Sequence, residues 1–175
     1  MSLDSPLPHV DLSLAEKICA GFAGLYGISV GIARADGTWW LHCRTPNAFC
    51  ELYRTQHPHA ACVPDGCDCP LQWSKAPLHH DAEVVSHVVL GPFRYTNQSL
   101  SIHEDRALNE ALSSVPKISA EVATRIIEHL QTILETLQHA EYRAHLASSM
   151  HEASTAESHR EIEALYAEAQ HANAQ

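Results

Sequence analysis

The stretch ISVGIARADGTWWLHC, residues 28 to 43, sets the frame for its surroundings. Ile28 to Arg34 reads as a strand, Asp36-Gly37 is a tight-turn pair, and Thr38 to Cys43 reads as the hairpin partner. Trp39 and Trp40 are adjacent on that second strand, so their rings face opposite ways. One is expected in the core, and the other against a pocket or the outside of the sheet.

Upstream, residues 1–10 carry two prolines and form an extended lead-in. Asp11 or Ser13 caps a helix, with Glu16 as a capping-box partner. Leu14, Ile18, Phe22 and Leu25 recur at helical spacing through Tyr26, and Gly27 closes the helix. Downstream, residues 48–56 read as a short helix with Phe49, Leu52 and Tyr53 on one face. A loop rich in cysteine and histidine follows, and LQWSKAPLHHD (71–81) continues it irregularly, which places Trp73 in a long loop. EVVSHVVLGPF (83–93) is a buried strand, ended by Gly91-Pro92 because proline does not continue a central strand. A helix over 103–115 stops at Pro116, and Ser119 caps the next one.

From Ser119 the pattern changes. Ile126, Leu130, Ile133, Leu137, Ala140, Ala144 and Ala147 alternate steps of three and four, a heptad seam. His151, Ser154 and Ser158 continue the register with polar residues, and Ile162, Leu165 and Ala169 resume it after a shift. No Gly or Pro follows Pro116. One long helix to about residue 170 is expected, pairing with a second copy or leading into an output domain beyond Gln175; the ending AQHANAQ carries no capping signal.

The length of 175 residues suits one ordinary domain with some chain left over, and 45% hydrophobic residues supply a core. The formal net charge of -10 repels phosphate backbones, so neither nucleic acid nor an anionic membrane surface is an expected partner. The fourteen histidines add positive charge as pH falls below about 6.5. No basic start or apolar segment marks a secretory signal, and the apolar runs are far short of the ~20 residues of a membrane span. A cytoplasmic location is the expectation. Thiols stay reduced there, so a cysteine cluster points to metal or redox chemistry before disulfides.

That cluster is CVPDGCDC, residues 62 to 69. Cys50, Cys62, Cys67 and Cys69 supply the four soft ligands that Zn²⁺ takes, and an iron–sulfur cluster uses the same number. The spacing is not a standard zinc knuckle. Thiols acting in redox chemistry without metal are the alternative. His57, His59, His79 and His80 are spare nitrogen donors. Cys19 reads as a small buried hydrophobe, and Cys43 as core or a fifth thiol. There is no phosphate-binding glycine loop, no G-x-S-x-G and no H-E-x-x-H, so an enzyme is not expected.

The order GLYGISVGIARADGTWW, NAFCELYRTQHPHAACVPD, a strand ending VVLGPF, then VPKISAEVATRIIEHLQTILETL resembles the PocR-type sensory domain, a PAS/GAF-like ligand-binding module of bacterial regulators and signalling kinases. The likeness spans roughly residues 10 to 140. Its most specific pieces are Phe49-Cys50 followed by Cys62, and the Gly91-Pro92 strand end where the family usually has Gly-Gln; the family's Cys-His-Ala-Gly-Leu stretch is absent. The resemblance implies an α+β fold: a PAS/GAF-like antiparallel sheet flanked by helices over residues 1–117, then a long C-terminal coiled-coil helix over 118–175. It further implies a small pocket between sheet and helices that senses a small molecule; on the residues themselves, Trp39, Phe49 and Trp73 are expected at that ligand, and Cys50, Cys62, Cys67 and Cys69 on Zn²⁺ or an iron–sulfur cluster. A homodimer and a downstream output domain or kinase complete the expected sensor. A purely structural oligomerisation module is the rival.

Overall fold

The computed structural model describes residues 7, 10–58, 69–98 and 105–173, with side chains as far as 165. Helix α1 (Leu12–Tyr26) is capped by Asp11, whose carboxylate accepts the Ser13 backbone N–H at 2.8 Å. It ends where Gly27, at φ 65°, donates its N–H to the Ala23 carbonyl. Strand β1 (Val30–Arg34) turns into β2 (Trp39–Cys43), and the Asp36 side chain holds the turn by accepting from the Thr38 N–H. Helix α2 (Ala48–Gln56) starts at Asn47, whose side chain accepts the Cys50 N–H. Then come β3 (Gln72–His80), β4 (Glu83–Tyr95), α3 (Arg106–Ser113), β5 (Lys117–Ile118) and α4 (Ala120–Asn173).

The fold class is α+β. The sheet runs β2-β1-β4-β3 with every neighbour antiparallel, and β5 adds to the far end of β4 in parallel.

Two readings of the sequence are corrected here. Residues 72–80 are a full strand, not irregular chain. Pro77 obscured it, but β3 is an edge strand, where a missing N–H is tolerated. The turn joining β3 to β4 is Asp81-Ala82, both at positive φ (49° and 67°), which is the geometry of a tight hairpin without the usual glycine. Likewise β4 does not stop at Gly91-Pro92 but continues to Tyr95. Its ladder with β1 ends at Leu90, and its register with β3 shifts between Leu90 and Phe93. Pro92 falls in that gap, so its missing donor breaks no ladder bond. Beyond it, the Arg94 N–H bonds the Pro116 carbonyl and brings in β5.

One face of the sheet carries the main core. Val30 and Ile32 of β1, Val88, Leu90 and Phe93 of β4, and Ala76 and Leu78 of β3 meet Ala15, Cys19 and Ala23 of α1. Ala123, Ile126, Ile127, Leu130 and Leu134 of α4 join the same cluster. A second cluster gathers Phe49 of α2, Leu108 and Leu112 of α3, and Cys69, Leu71 and Val115. The chain divides into two compact units, residues 1–138 and 139–175. The buried stripe of α4 is wider than a two-position seam, as packing on a sheet requires. Ile126 and Leu130 of the heptad pattern lie in it, whereas Ile133 is exposed. In the second unit every described side chain from Arg143 to Leu165 is exposed. No helix among the described residues is long and apolar enough to cross a membrane.

Ala82 holds a left-handed conformation that costs a non-glycine residue about 1–2 kcal/mol. Ala82→Gly is expected to raise the unfolding free energy by about 0.5–1 kcal/mol after glycine's own entropic cost. Urea denaturation monitored by circular dichroism measures the change.

Candidate functional site

The face of the sheet opposite the main core is built on two glycines. Gly31 of β1 and Gly91 of β4 point their missing side chains to this face, since their neighbours Val30, Ile32 and Leu90 point to the other. A methyl at Gly31 would stand 2.6 Å from the Trp39 ring, and one at Gly91 would stand 2.7 Å from the Trp73 ring. The outer strands β2 and β3 thus each lay a tryptophan over a glycine of the inner strands. The two indoles meet, with ring centroids 6.2 Å apart.

A bulge in β2 completes this surface. Trp39 pairs with Ala33 and Leu41 with Ile32, which leaves Trp40 as the extra residue. Trp39 and His42 therefore share a face although they are three apart, and their rings stack at 3.9 Å, nearly parallel at 6°. Trp40 packs against the main core instead.

At the end of this aromatic layer lies a pocket of about 270 Å³. His42, Trp73 and Pro92 form its sheet side, and the start of α2, with Asn47, Cys50 and Glu51, forms the other. Arg44 and Arg54 stand at its wall. The Arg44 Nε–H donates to His42 Nδ1 at 3.2 Å. Guanidinium only donates, so His42 Nδ1 is the acceptor and its proton sits on Nε2. Burial, helped by the Arg44 charge, pushes the His42 imidazole down to about 4, so the ring is neutral at pH 7. His42 Nε2 and Trp73 Nε1 are both buried and have no hydrogen-bond partner among the described residues. Leaving such a donor unsatisfied costs about 1–3 kcal/mol.

Of the aromatic residues singled out in the sequence, Trp73 lines the pocket, and Trp39 backs it through His42. Phe49 is fully buried in the second cluster, beneath α2. Cys50 is on the pocket wall, and it and Cys69 both pack with the cluster around Phe49. Cys62 and Cys67 lie outside the described residues, as does His59. No group of three or more His, Cys, Asp or Glu stands together among the described residues. His79 instead bonds Glu135 on α4, and His57 stacks on Tyr53. Cys19 is a deeply buried thiol whose pKa is pushed up to about 12 by burial and by neighbouring Cys43, which suits a core residue and not a nucleophile. His42, Arg44 and Arg54 were not picked out from the sequence. Their only signal was His42-x-Arg44 at the end of a strand, which is uninformative without the bulge.

The folded-state pKa of His42 lies below the ordinary histidine value of 6.5. Protonation therefore favours the unfolded chain: the stability due to His42 is complete above about pH 6.5 and is lost as pH falls toward 4. The expected result is a His42 ring resonance titrating near pH 4 by NMR, and a loss of stability between pH 6.5 and 4 that is shallower in His42→Gln.

Compared with known protein families, curated proteins and solved structures, the chain gives no match to any.

Proposed function

We propose that this chain is a sensory domain that binds a small organic molecule in the pocket at the end of the sheet and passes the event to α4. The observation that carries the proposal is the division of labour between the two faces of one sheet. Strands β1 and β4 bear the glycine-seated tryptophans on one face and the first turns of α4 on the other. A polar link runs along the same route. On β3, which carries Trp73, the His79 N–H donates to a Glu135 carboxylate oxygen at 3.3 Å, and the His79 ring lies 3.1 Å from that oxygen. Burial raises the Glu135 pKa, but hydrogen bonds from Gln131 and His79 outweigh it and hold the carboxyl below its usual range. A ligand that shifts β3 by binding one arrangement more tightly than another thereby biases α4. The PocR-type resemblance points to the same role.

The output is a homodimer formed along α4. Val122, Ile133, Leu146, Met150, Ile162 and Leu165 are large apolar side chains left exposed along this helix. An isolated polar helix is marginal in water, and pairing of these positions with a second copy supplies the missing burial. Two measurements test the proposal. Sedimentation of the full chain should give a dimer, and the double variant Leu146→Glu, Met150→Lys a monomer. Hydrogen exchange across 120–138 should slow when a pocket ligand is bound; an unchanged exchange pattern with ligand bound to the pocket rejects the coupling.

A second reading adds a metal. Cys50 and Cys69 pack with one apolar cluster, so two of the four thiols in question are held in one neighbourhood. Those two, with Cys62 and Cys67, would hold Zn²⁺ or an iron–sulfur cluster that pins the segment between α2 and β3. Anaerobic purification should then yield about one metal centre per chain, with loss of the metal in Cys50→Ser and Cys69→Ser. A colourless, metal-free protein of unchanged stability rejects this reading.

A further inference from the structure

We infer that the pocket ligand is a small planar monoanion, an aromatic carboxylate in chemical class. The inference rests on the pocket reading above and names what the site selects. Two N–H groups of residues on the sheet side have no acceptor: the Nε2–H of His42 and the Nε1–H of Trp73 are buried and have no partner among the described residues. Indole N–H donates only, and the bond from Arg44 fixes His42 in the form that donates from Nε2. Both nitrogens are covered while the pocket is empty, and acceptor oxygens on a ligand are what would satisfy them once the wall yields enough to uncover them.

The charges on the wall sharpen this. Arg44 and Arg54 face the pocket with Glu51, one net positive charge on the wall of a chain whose formal net charge is -10. Among the described residues neither arginine pairs with a carboxylate. A carboxylate meets these guanidinium groups in the geometry they favour. The single Glu51 opposes a second negative charge and argues against phosphate esters.

Shape supplies the planarity. The His42 ring is stacked flat on Trp39, and the Trp73 indole stands beside them at the pocket wall. Flat rings favour stacking by a flat ring. A volume of about 270 Å³ equals roughly nine waters at ~30 Å³ each, which fits one ring bearing one carboxylate and excludes a dinucleotide.

The test titrates the full chain with benzoate, benzamide and benzyl alcohol at pH 7 and fixed ionic strength, read by calorimetry and tryptophan fluorescence. Benzoate should bind about tenfold or more tightly than benzamide. Arg54→Gln, on an exposed side chain, should remove that preference and leave benzamide within about twofold. Trp73→Phe keeps a ring, removes the N–H, and should weaken both ligands. Circular dichroism confirms that each variant is folded. Equal binding of benzoate and benzamide, both weakened by Trp73→Phe, overturns the anionic assignment and leaves the small-ligand pocket standing. Benzoate binding that neither substitution changes lies elsewhere and overturns the assignment. Binding of none of the three overturns it as well; the coupling of pocket to helix is then judged by hydrogen exchange with other ligands.

Discussion

Side chains of a strand alternate between faces, and in β1 and β4 that alternation puts the two glycines on the face away from the helices. Val30, Ile32, Val88 and Leu90 point to the helices, while Gly31 and Gly91, on the other face with buried Val89, leave backbone open beneath the indoles. Each large buried aliphatic side chain contributes about 1.5–3 kcal/mol, so the helix-facing set fixes the register strongly. A slip of one residue would bring the glycines against α1 and α4 and drive valines into the tryptophans. The register that builds the core therefore also places the bare backbone on which Trp39 and Trp73 rest. The pocket is a by-product of that arrangement, because the two indoles, tilted 49° to each other, cover the glycines without filling the space at the sheet's end.

The parts of this fold legible in the sequence are those whose signals are local. Asp11 and Gly27 bound α1 through a cap and a left-handed residue, and Asp36-Gly37 marks the hairpin between β1 and β2. The absence of Gly and Pro after Pro116 forecasts a single helix, which runs over Ala120–Asn173. What escaped depends on partners distant in the chain. Pro77 reads as a strand breaker until β3 is known to be an edge strand. Gly91-Pro92 reads as an end until β1 is seen to stop pairing at Leu90 and β5 to begin pairing at Arg94. The hairpin at Asp81-Ala82 lacks glycine, and its backbone is held by the flanking ladder of eight paired positions instead of by turn chemistry.

The site divides the same way. Aromatic residues advertise themselves in a sequence, and Trp39 and Trp73 are both part of the layer that bounds the pocket. Phe49, equally conspicuous, spends its ring in the cluster that fastens α2 to α3, alongside the bond from Gln56 to Asp105. The polar members were silent because each is ordinary by itself. His42 becomes a buried donor only because a bulge at Trp40 turns it onto the face of Trp39, and a bulge is set by cross-strand pairing. Arg54 is one charged residue on an exposed helix face until Asn47 caps α2 and sets the helix start against the strand ends.

In the proposed sensor, the packing of α4 sets where a response would be cheapest to make. Its first turns are held by Ile126, Ile127, Leu130 and Leu134, and truncating either buried leucine to alanine would cost about 2–5 kcal/mol, too much for a ligand of modest affinity to overcome. The last buried position among the described side chains of α4 is Gln138, whose amide nitrogen and oxygen have no hydrogen-bond partner among the described residues. A buried amide without partners destabilises the arrangement that buries it, so this turn gives up less by moving than any turn before it. The compact unit that contains the sheet ends at the same residue. One turn earlier, Glu135 takes its bonds from His79 on the strand that carries Trp73. Stiff packing up to Leu134, a polar tie at Glu135 and an uncompensated amide at Gln138 thus follow one another within two turns. In the proposed coupling, a small displacement of β3 would be resisted by the core and felt beyond Leu134, where buried apolar contacts of α4 give way to polar ones.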